Sequence, residues 1–468
     1  MSTRKDGETK KLIPGKKKRG LCQQDRPVLE PNAAGIDVGA REMYVAIPPD
    51  RDSEPVRVFE TFTVDLEALV NWLIERDITT VAMESTGVYW IPLFQMLEDR
   101  GVRACLVNAR HMKNVPGRRT DWHECQWLQY LHATGLLRAA FRPEQNVCAV
   151  RTLLRHRSEL ITMAAQHVQH MQKALTQMNV QLHHVISDIT GLTGLAIVDA
   201  IVAGERDTTK LAELRHKSIH ADEETIRKSL QGDWRREHIF TLEQSRQMYS
   251  DYRKHIASCD QEIVKLLGDF KPHVDIAVQP LKPHLGPSRK RRTKRTGDFR
   301  FEVRTEAYKL FGVDVTLIPG LNQLAIPLFS EVGRDLTTRF PTSGHFVSWL
   351  GLCPDNDKSG GQVLWTGVRS IHNRAAQMFR MGASSLHHNA SPVGDFLRRM
   401  KAKLGPTAGI TAAAHKIAII FYTLVTKQME YDDSVWAARD ALRQKRFEEK
   451  LKRQARQLGY ELVPVQPM

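Results

Sequence analysis

Between Ala33 and His132 the apolar residues switch repeatedly between period two and the helical period, and the order of those switches leaves few folds open. Ala34 to Ile47 reads as a strand, a turn at Gly39-Ala40 and a second strand. Val56 to Val64 is a third. Asp65 is placed to cap a helix that runs to Arg76. Thr79 to Met83 is a short strand, Tyr89 to Arg100 an amphipathic helix stopped by Gly101, and Val102 to Val107 another strand. A last helix runs from Thr120 to His132 and stops at Gly135. The order β-β-β-α-β-α-β-α predicts a mixed sheet flanked by helices.

The chain then changes character. Residues 145–186 read as one long helix. Its apolar positions are Val150, Leu154, Ile161, Ala164, Val168, Met171, Leu175, Met178, Leu182 and Val185, spaced three and four apart with Arg157 as the one break. Tyr249, Tyr252, Ile256, Cys259, Ile263, Leu266 and Phe270 form a second seam. Such long, narrow seams read first as a contact between subunits, with an antiparallel hairpin inside one chain as the alternative. Between them, about 187–240, lies a small helical insertion. Its Ile189-Thr-Gly-Leu-Thr-Gly-Leu-Ala-Ile recurs as Ile318-Pro-Gly-Leu-Asn-Gln-Leu-Ala-Ile, which reads equally as a phosphate-facing glycine turn or a simple helix start.

The expected organisation is a basic, disordered tail over 1–31, an α/β domain over 32–143, and a coiled-coil region with its insertion over 144–278. A basic linker at 279–300, a mainly helical domain at 301–430 and a charged helical tail at 431–468 follow.

Charge narrows the class of partner. The formal charge is +15, and it is clustered at Lys16-Lys17-Lys18-Arg19, at Arg289-Lys290-Arg291-Arg292 and from Arg443 to Arg456. Clusters of this kind neutralise phosphates and release counterions, so they point to nucleic acid without choosing DNA or RNA. The six cysteines show no CxxC pair, which argues against a zinc site or a disulfide framework. No apolar h-region opens the chain and no uninterrupted apolar run has membrane length, so a cytoplasmic protein is expected.

Four acids of the first domain could act together. Asp37 sits in the strand Gly-Ile-Asp-Val-Gly, and Glu84 ends another in Met-Glu-Ser-Thr-Gly; both stand at strand ends beside glycine. Asp121 and Glu124 are three apart at a helix start, on one helical face. Taken singly, each has an ordinary structural use as a turn cap, strand-end charge or N-cap. Converging, they repel and need cations. Two Mg²⁺ ions, with Mn²⁺ as a substitute, would balance the charge and polarise a phosphate. The element order around them matches the ribonuclease H fold.

These segments, with Arg119-Thr-Asp121-Trp-His-Glu124-Cys-Gln-Trp-Leu and Leu131-His-Ala-Thr-Gly-Leu-Leu, resemble the DEDD (RuvC-like) transposases of bacterial insertion sequences, the insertion-sequence 110 family and its insertion-sequence 1111 group. Gly351-Leu-Cys-Pro-Asp-Asn-Asp-Lys-Ser359-Gly-Gly and Asn373-Arg-Ala-Ala-Gln extend the resemblance to about Lys427. It departs at Glu124, where the family usually has Asp; the extra methylene moves the carboxylate by about 1.5 Å.

The resemblance implies a DNA transposase or recombinase. Asp37, Glu84, Asp121 and Glu124 would hold the metal, and Ser359 would be the nucleophile, forming a phosphoserine link to DNA. Without the resemblance Ser359 is a turn serine in a loop after a helix end. Gly360 and Gly361 would let backbone N–H groups approach phosphate, with Lys358, Arg369 and Arg374 as nearby cations. The partners implied are donor and target DNA, a structured non-coding bridge RNA, and further copies of the chain as a dimer or a dimer of dimers, acting at the nucleoid. Two other functions stay open: a ribonuclease-H-like nuclease or junction resolvase using water, and a non-catalytic nucleic-acid scaffold.

Overall fold

A computed structural model describes residues 26–85, 87–107, 120–137, 139–283 and 297–461. The chain divides into two compact units, Met1–Arg142 and Pro143–Met468.

The first unit is a five-stranded sheet in the order β3-β2-β1-β4-β5: β1 Ala33–Val38, β2 Glu42–Ala46, β3 Val56–Glu60, β4 Thr80–Glu84 and β5 Arg103–Val107. The β1–β2 and β2–β3 pairs are antiparallel, β1–β4 and β4–β5 parallel. This is the mixed sheet that the pattern predicts. Alternation along the strands makes two different faces. Ile36, Val38, Val81 and Met83 share a core with Leu69 and Leu73 of α1 (Thr63–Glu75) and Leu93 and Leu97 of α2 (Trp90–Asp99). Ala82 and Val107, on the opposite face, pack under Leu128 and Leu131 of α3 (Asp121–Ala133). Asp65 does not cap α1: the N-cap is Phe62, and Asp65 lies in the first turn, where a carboxylate favours the positive helix end.

In the second unit the long helices Gln145–Gln177 and Arg236–Gly268 lie side by side. Arg157 meets Asp260, and the His167 ring stacks on Tyr252 at 5.4 Å, so the helices run antiparallel. The two seams therefore pair with each other inside one chain. The first helix is shorter than expected, because Asn179 adopts a left-handed conformation (φ 56°). The Asn179 N–H then reaches the Thr176 carbonyl and the Val180 N–H the Leu175 carbonyl, a Schellman stop.

The far end of this hairpin holds the insertion, helices Leu192–Val202, Thr208–Glu213 and Glu223–Ser229, through Met171, Leu175, Met178, Ile197, Ile201, Leu211 and Ile226. Its near end is embedded in the C-terminal core, where Val150, Leu154, Ile263 and Leu267 meet Phe311, Phe329, Phe346, Phe379 and Phe421. Helix Pro406–Lys427 crosses that core. Contrary to the expectation from the sequence, it is long and apolar enough to span a membrane. Yet Ala413, Ala414, Ile417, Ala418 and Phe421 are fully buried, the pattern of a central core helix. In the repeated motif, Gly320 (φ 90°) lies against the Gly382 backbone, where an added Cβ would come within 2.5 Å of the Gly382 carbonyl oxygen; this glycine serves close packing.

Candidate metal centre and serine hairpin

The acidic cluster is set by strand register. β1 and β4 run parallel with Ile36 opposite Met83, so Asp37 and Glu84 follow in step on neighbouring strands and emerge on the face covered by α3. What brings α3 close is Gly35. A Cβ there would lie 2.2 Å from the Gln129 nitrogen and 2.4 Å from the Cys125 carbonyl oxygen, so the helix rests directly on the strand backbone. The Gln129 Nε2 donates to the Ala33 carbonyl at 3.2 Å and holds this contact.

Glu124, one turn into α3, is thereby aimed at the strand ends. Ligand oxygens of Asp37, Glu84 and Glu124 all lie within 4.8 Å of one another. The longer Glu124 side chain thus reaches the other two acids. Asp121, the fourth acid expected, is not in this group; it sits exposed at the first residue of α3, and its charge is still felt at Asp37.

The electrostatic signature is clear at Asp37. Burial first, and then repulsion from Glu124, Asp121 and Glu84, raise its pKa from 3.8 to about 6, against a lowering hydrogen bond from the Val38 backbone. A half-buried carboxyl held among like charges is the arrangement that a cation relieves. The donor set is carboxylate oxygen, with no histidine or cysteine joining it among the described residues, and so fits Mg²⁺ or Mn²⁺. Cys125, buried beside the cluster, stays a thiol: burial pushes its pKa up to about 12, and its Sγ donates to the Trp122 carbonyl.

Sequence reasoning missed two contributors. Gly35 was legible only as a glycine in an otherwise apolar buried strand, the usual sign of a close backbone approach. Tyr44 pairs with Asp37 across β1 and β2 and donates its hydroxyl to Glu42 at 3.1 Å. That bond and the Glu42 charge raise its pKa, with smaller contributions from Asp121 and Asp37.

Ser359 is on a β-hairpin, not in a loop. Strand β6, Asp357–Ser359, pairs with β7, Gln362–Trp365, and Ser359 faces Gln362 across the turn Gly360-Gly361. Both glycines have positive φ, 56° and 82°, as a two-residue primed turn requires. Ser359 and both glycines are exposed. The hairpin base is fixed by the Pro354–Val368 bridge and by Arg369, whose guanidinium donates to the Ser348 carbonyl and hydroxyl, both at 2.6 Å. Arg369 thus anchors the hairpin. Arg374 stands exposed at the start of helix Arg374–Ser384, capped by Asn373, and borders a cavity of about 440 Å³. The Lys358 side chain and Arg289, Lys290, Arg291 and Arg292 lie outside the described residues.

Comparison with known proteins finds family matches over two segments of the chain. Residues 34–180 match a model of the DEDD transposases of IS110 type, described as a transposase, and residues 315–394 match one described as the transposase IS116/IS110/IS902 family. No curated protein matches the chain. The first match contains Asp37, Glu84 and Glu124, and the second contains Ser359. On these two matches the chain carries the transposase domains of the IS110 family.

Proposed function

We propose that this transposase is an RNA-guided DNA recombinase of the IS1111 group, which cuts and rejoins donor and target DNA through a phosphoserine intermediate at Ser359. What carries the proposal is the convergence of Asp37, Glu84 and Glu124 within 4.8 Å, inside the segment that matches the transposase domain. The exposed hydroxyl of Ser359 on a glycine turn supports the nucleophile.

In the proposed step the Ser359 Oγ bonds to phosphorus, its proton departs, and the strand's own oxygen leaves and takes up a proton. Each phosphodiester lost becomes one phosphoserine ester, so rejoining by another strand's hydroxyl reverses the step without an external energy source. Asp37, Glu84 and Glu124, with Asp121 beside them, would hold Mg²⁺, two ions in all, which supplies charge neutralisation and phosphate polarisation. Gly360 and Gly361 leave space for a phosphate against their backbone. The clustered basic segments of the sequence suit a bridge RNA together with two DNA duplexes, and exchange of four strands suits a dimer of dimers. Action at the nucleoid in the cytoplasm follows.

The test is a covalent-adduct assay with full-length protein, Mg²⁺, DNA bearing the element's ends and its flanking non-coding RNA. A denaturant-resistant protein–DNA band is expected for wild type and is expected to vanish in Ser359→Ala and Asp37→Asn. Cut DNA without an adduct, undiminished in Ser359→Ala, would show a water-using nuclease instead. Absence of cutting in every variant would leave a non-catalytic scaffold.

A further inference from the structure

The helical hairpin carries a cleft that the proposed chemistry does not use. Its volume is about 430 Å³, and its walls are one side of helix Arg236–Gly268, Leu195 of the insertion, and Arg300. Four cations line it, Arg246, Arg253, Lys254 and Arg300, together with Ser250, Ser258 and Gln261, and no carboxylate does. Two of the cations are balanced from outside the cleft, Arg246 by Asp199 and Lys254 by Asp251. Arg253 and Arg300 have no carboxylate partner among the described residues.

Both are held in place. Arg253 lies beside the buried ring of Tyr249, 5.9 Å from its centroid. Arg300 is positioned through its backbone: its N–H donates to Asp260 at 3.1 Å, and Asp260 is gripped by Arg157 at 2.6 Å in the hairpin interior. The preceding Phe299 packs under the Arg157 guanidinium at 4.0 Å. Two uncompensated guanidiniums thus face one concave, carboxylate-free surface, with neutral hydrogen-bonding groups between them.

This is the chemistry of phosphodiester recognition, in which cations meet the phosphates and hydroxyl or amide groups the remaining polar atoms. Concavity chooses the form of the nucleic acid. A duplex offers a convex rail of phosphates, whereas an unpaired strand can turn its backbone into a cleft. We infer that the cleft formed by Arg246, Arg253, Lys254 and Arg300 binds the backbone of a single-stranded segment of nucleic acid. It shares no residue with the acidic cluster or the serine hairpin and does not rest on the proposed serine chemistry.

The experiment is fluorescence-anisotropy binding of short oligothymidine, oligouridine and duplex DNA to the full chain over a range of salt. Wild type is compared with Arg253→Ala/Arg300→Ala and Arg253→Lys/Arg300→Lys. For single strands each phosphate contact contributes about 0.7 to the log–log salt slope, so the alanine pair is expected to lose about 1.4 and the lysine pair to keep the wild-type slope. The duplex slope is expected to stay constant. Ser258→Glu, which leaves both arginines in place, is expected to weaken strand binding about tenfold. Loss confined to oligouridine assigns the strand as RNA, and loss confined to oligothymidine assigns it as DNA. An unchanged strand slope in the alanine pair together with unaltered binding by Ser258→Glu would overturn the inference, as would an equal loss on duplex DNA.

Discussion

Asp37 is where burial and repulsion act on one proton. Because its pKa rises from 3.8 in the unfolded chain to about 6 in the fold, the metal-free protein holds that proton more tightly than the unfolded chain does. The stabilising contribution is complete below about pH 4 and is lost as pH rises through about 6. A divalent ion competes with the same proton, so its affinity should increase from pH 5 to pH 7. Isothermal titration with Mn²⁺ at both values checks this; equal affinity would show that Asp37 is not a ligand. Glu124 is the largest source of repulsion. Glu124→Gln should therefore lower the Asp37 pKa, read from its side-chain carboxyl carbon by NMR, and also weaken Mn²⁺ binding at least tenfold. Loss of binding without any fall in that pKa would separate Glu124 from Asp37.

Elements are held together here by backbone contact and by one buried ion pair. Gly35→Ala would place a methyl group 2.2 Å from the Gln129 nitrogen, against main chain that cannot rotate away. The variant should lose about 3 kcal/mol in chemical denaturation or shift α3 off the strand, with the acidic cluster dispersed. Arg157 and Asp260, with side chains 5% and 2% exposed, present the second case. Arg157→Met leaves Asp260 buried with its charge unpaired and should cost about 3–5 kcal/mol, whereas Arg157→Met/Asp260→Leu should recover most of the loss. Additive losses in the double variant would remove the pair from the account.

The same residues mark how far the sequence was legible. Strand and helix order in the first unit could be read because each element is long enough to show its period, and Asp37 and Glu84 were legible as acids at strand ends. The approach of α3 was not, since a contact between two backbones leaves no side-chain pattern beyond a glycine. Arg157 was visible as a fault in a seam, but Asp260 lies one residue after Cys259, off the three-four spacing. Asn179 is of a residue type that can end a helix in the left-handed conformation, but the apolar spacing continues past it through Leu182 and Val185 and masks the stop. The strands beside Ser359 are too short for alternation to be read.

At the scale of the whole molecule the two units have separate cores, so heat should unfold the chain in two steps. All three clustered acids belong to the first unit, so Mg²⁺ should raise one transition in calorimetry and leave the other in place. Movement of both would show that the units unfold together. The hairpin of Ser359 differs from the acid cluster in how it is built. The acids come from two strands and a helix and need the whole sheet, while the serine's surroundings lie close along the chain, from Ser348 to Arg369. The hydroxyl's immediate surroundings, a glycine turn and an arginine anchor, are thus written in one short run of sequence. Leu350 and Leu352 of the same stretch are buried in the C-terminal core, so moving it into a related chain would carry the turn and its anchor along and would also require a core that accepts those two leucines.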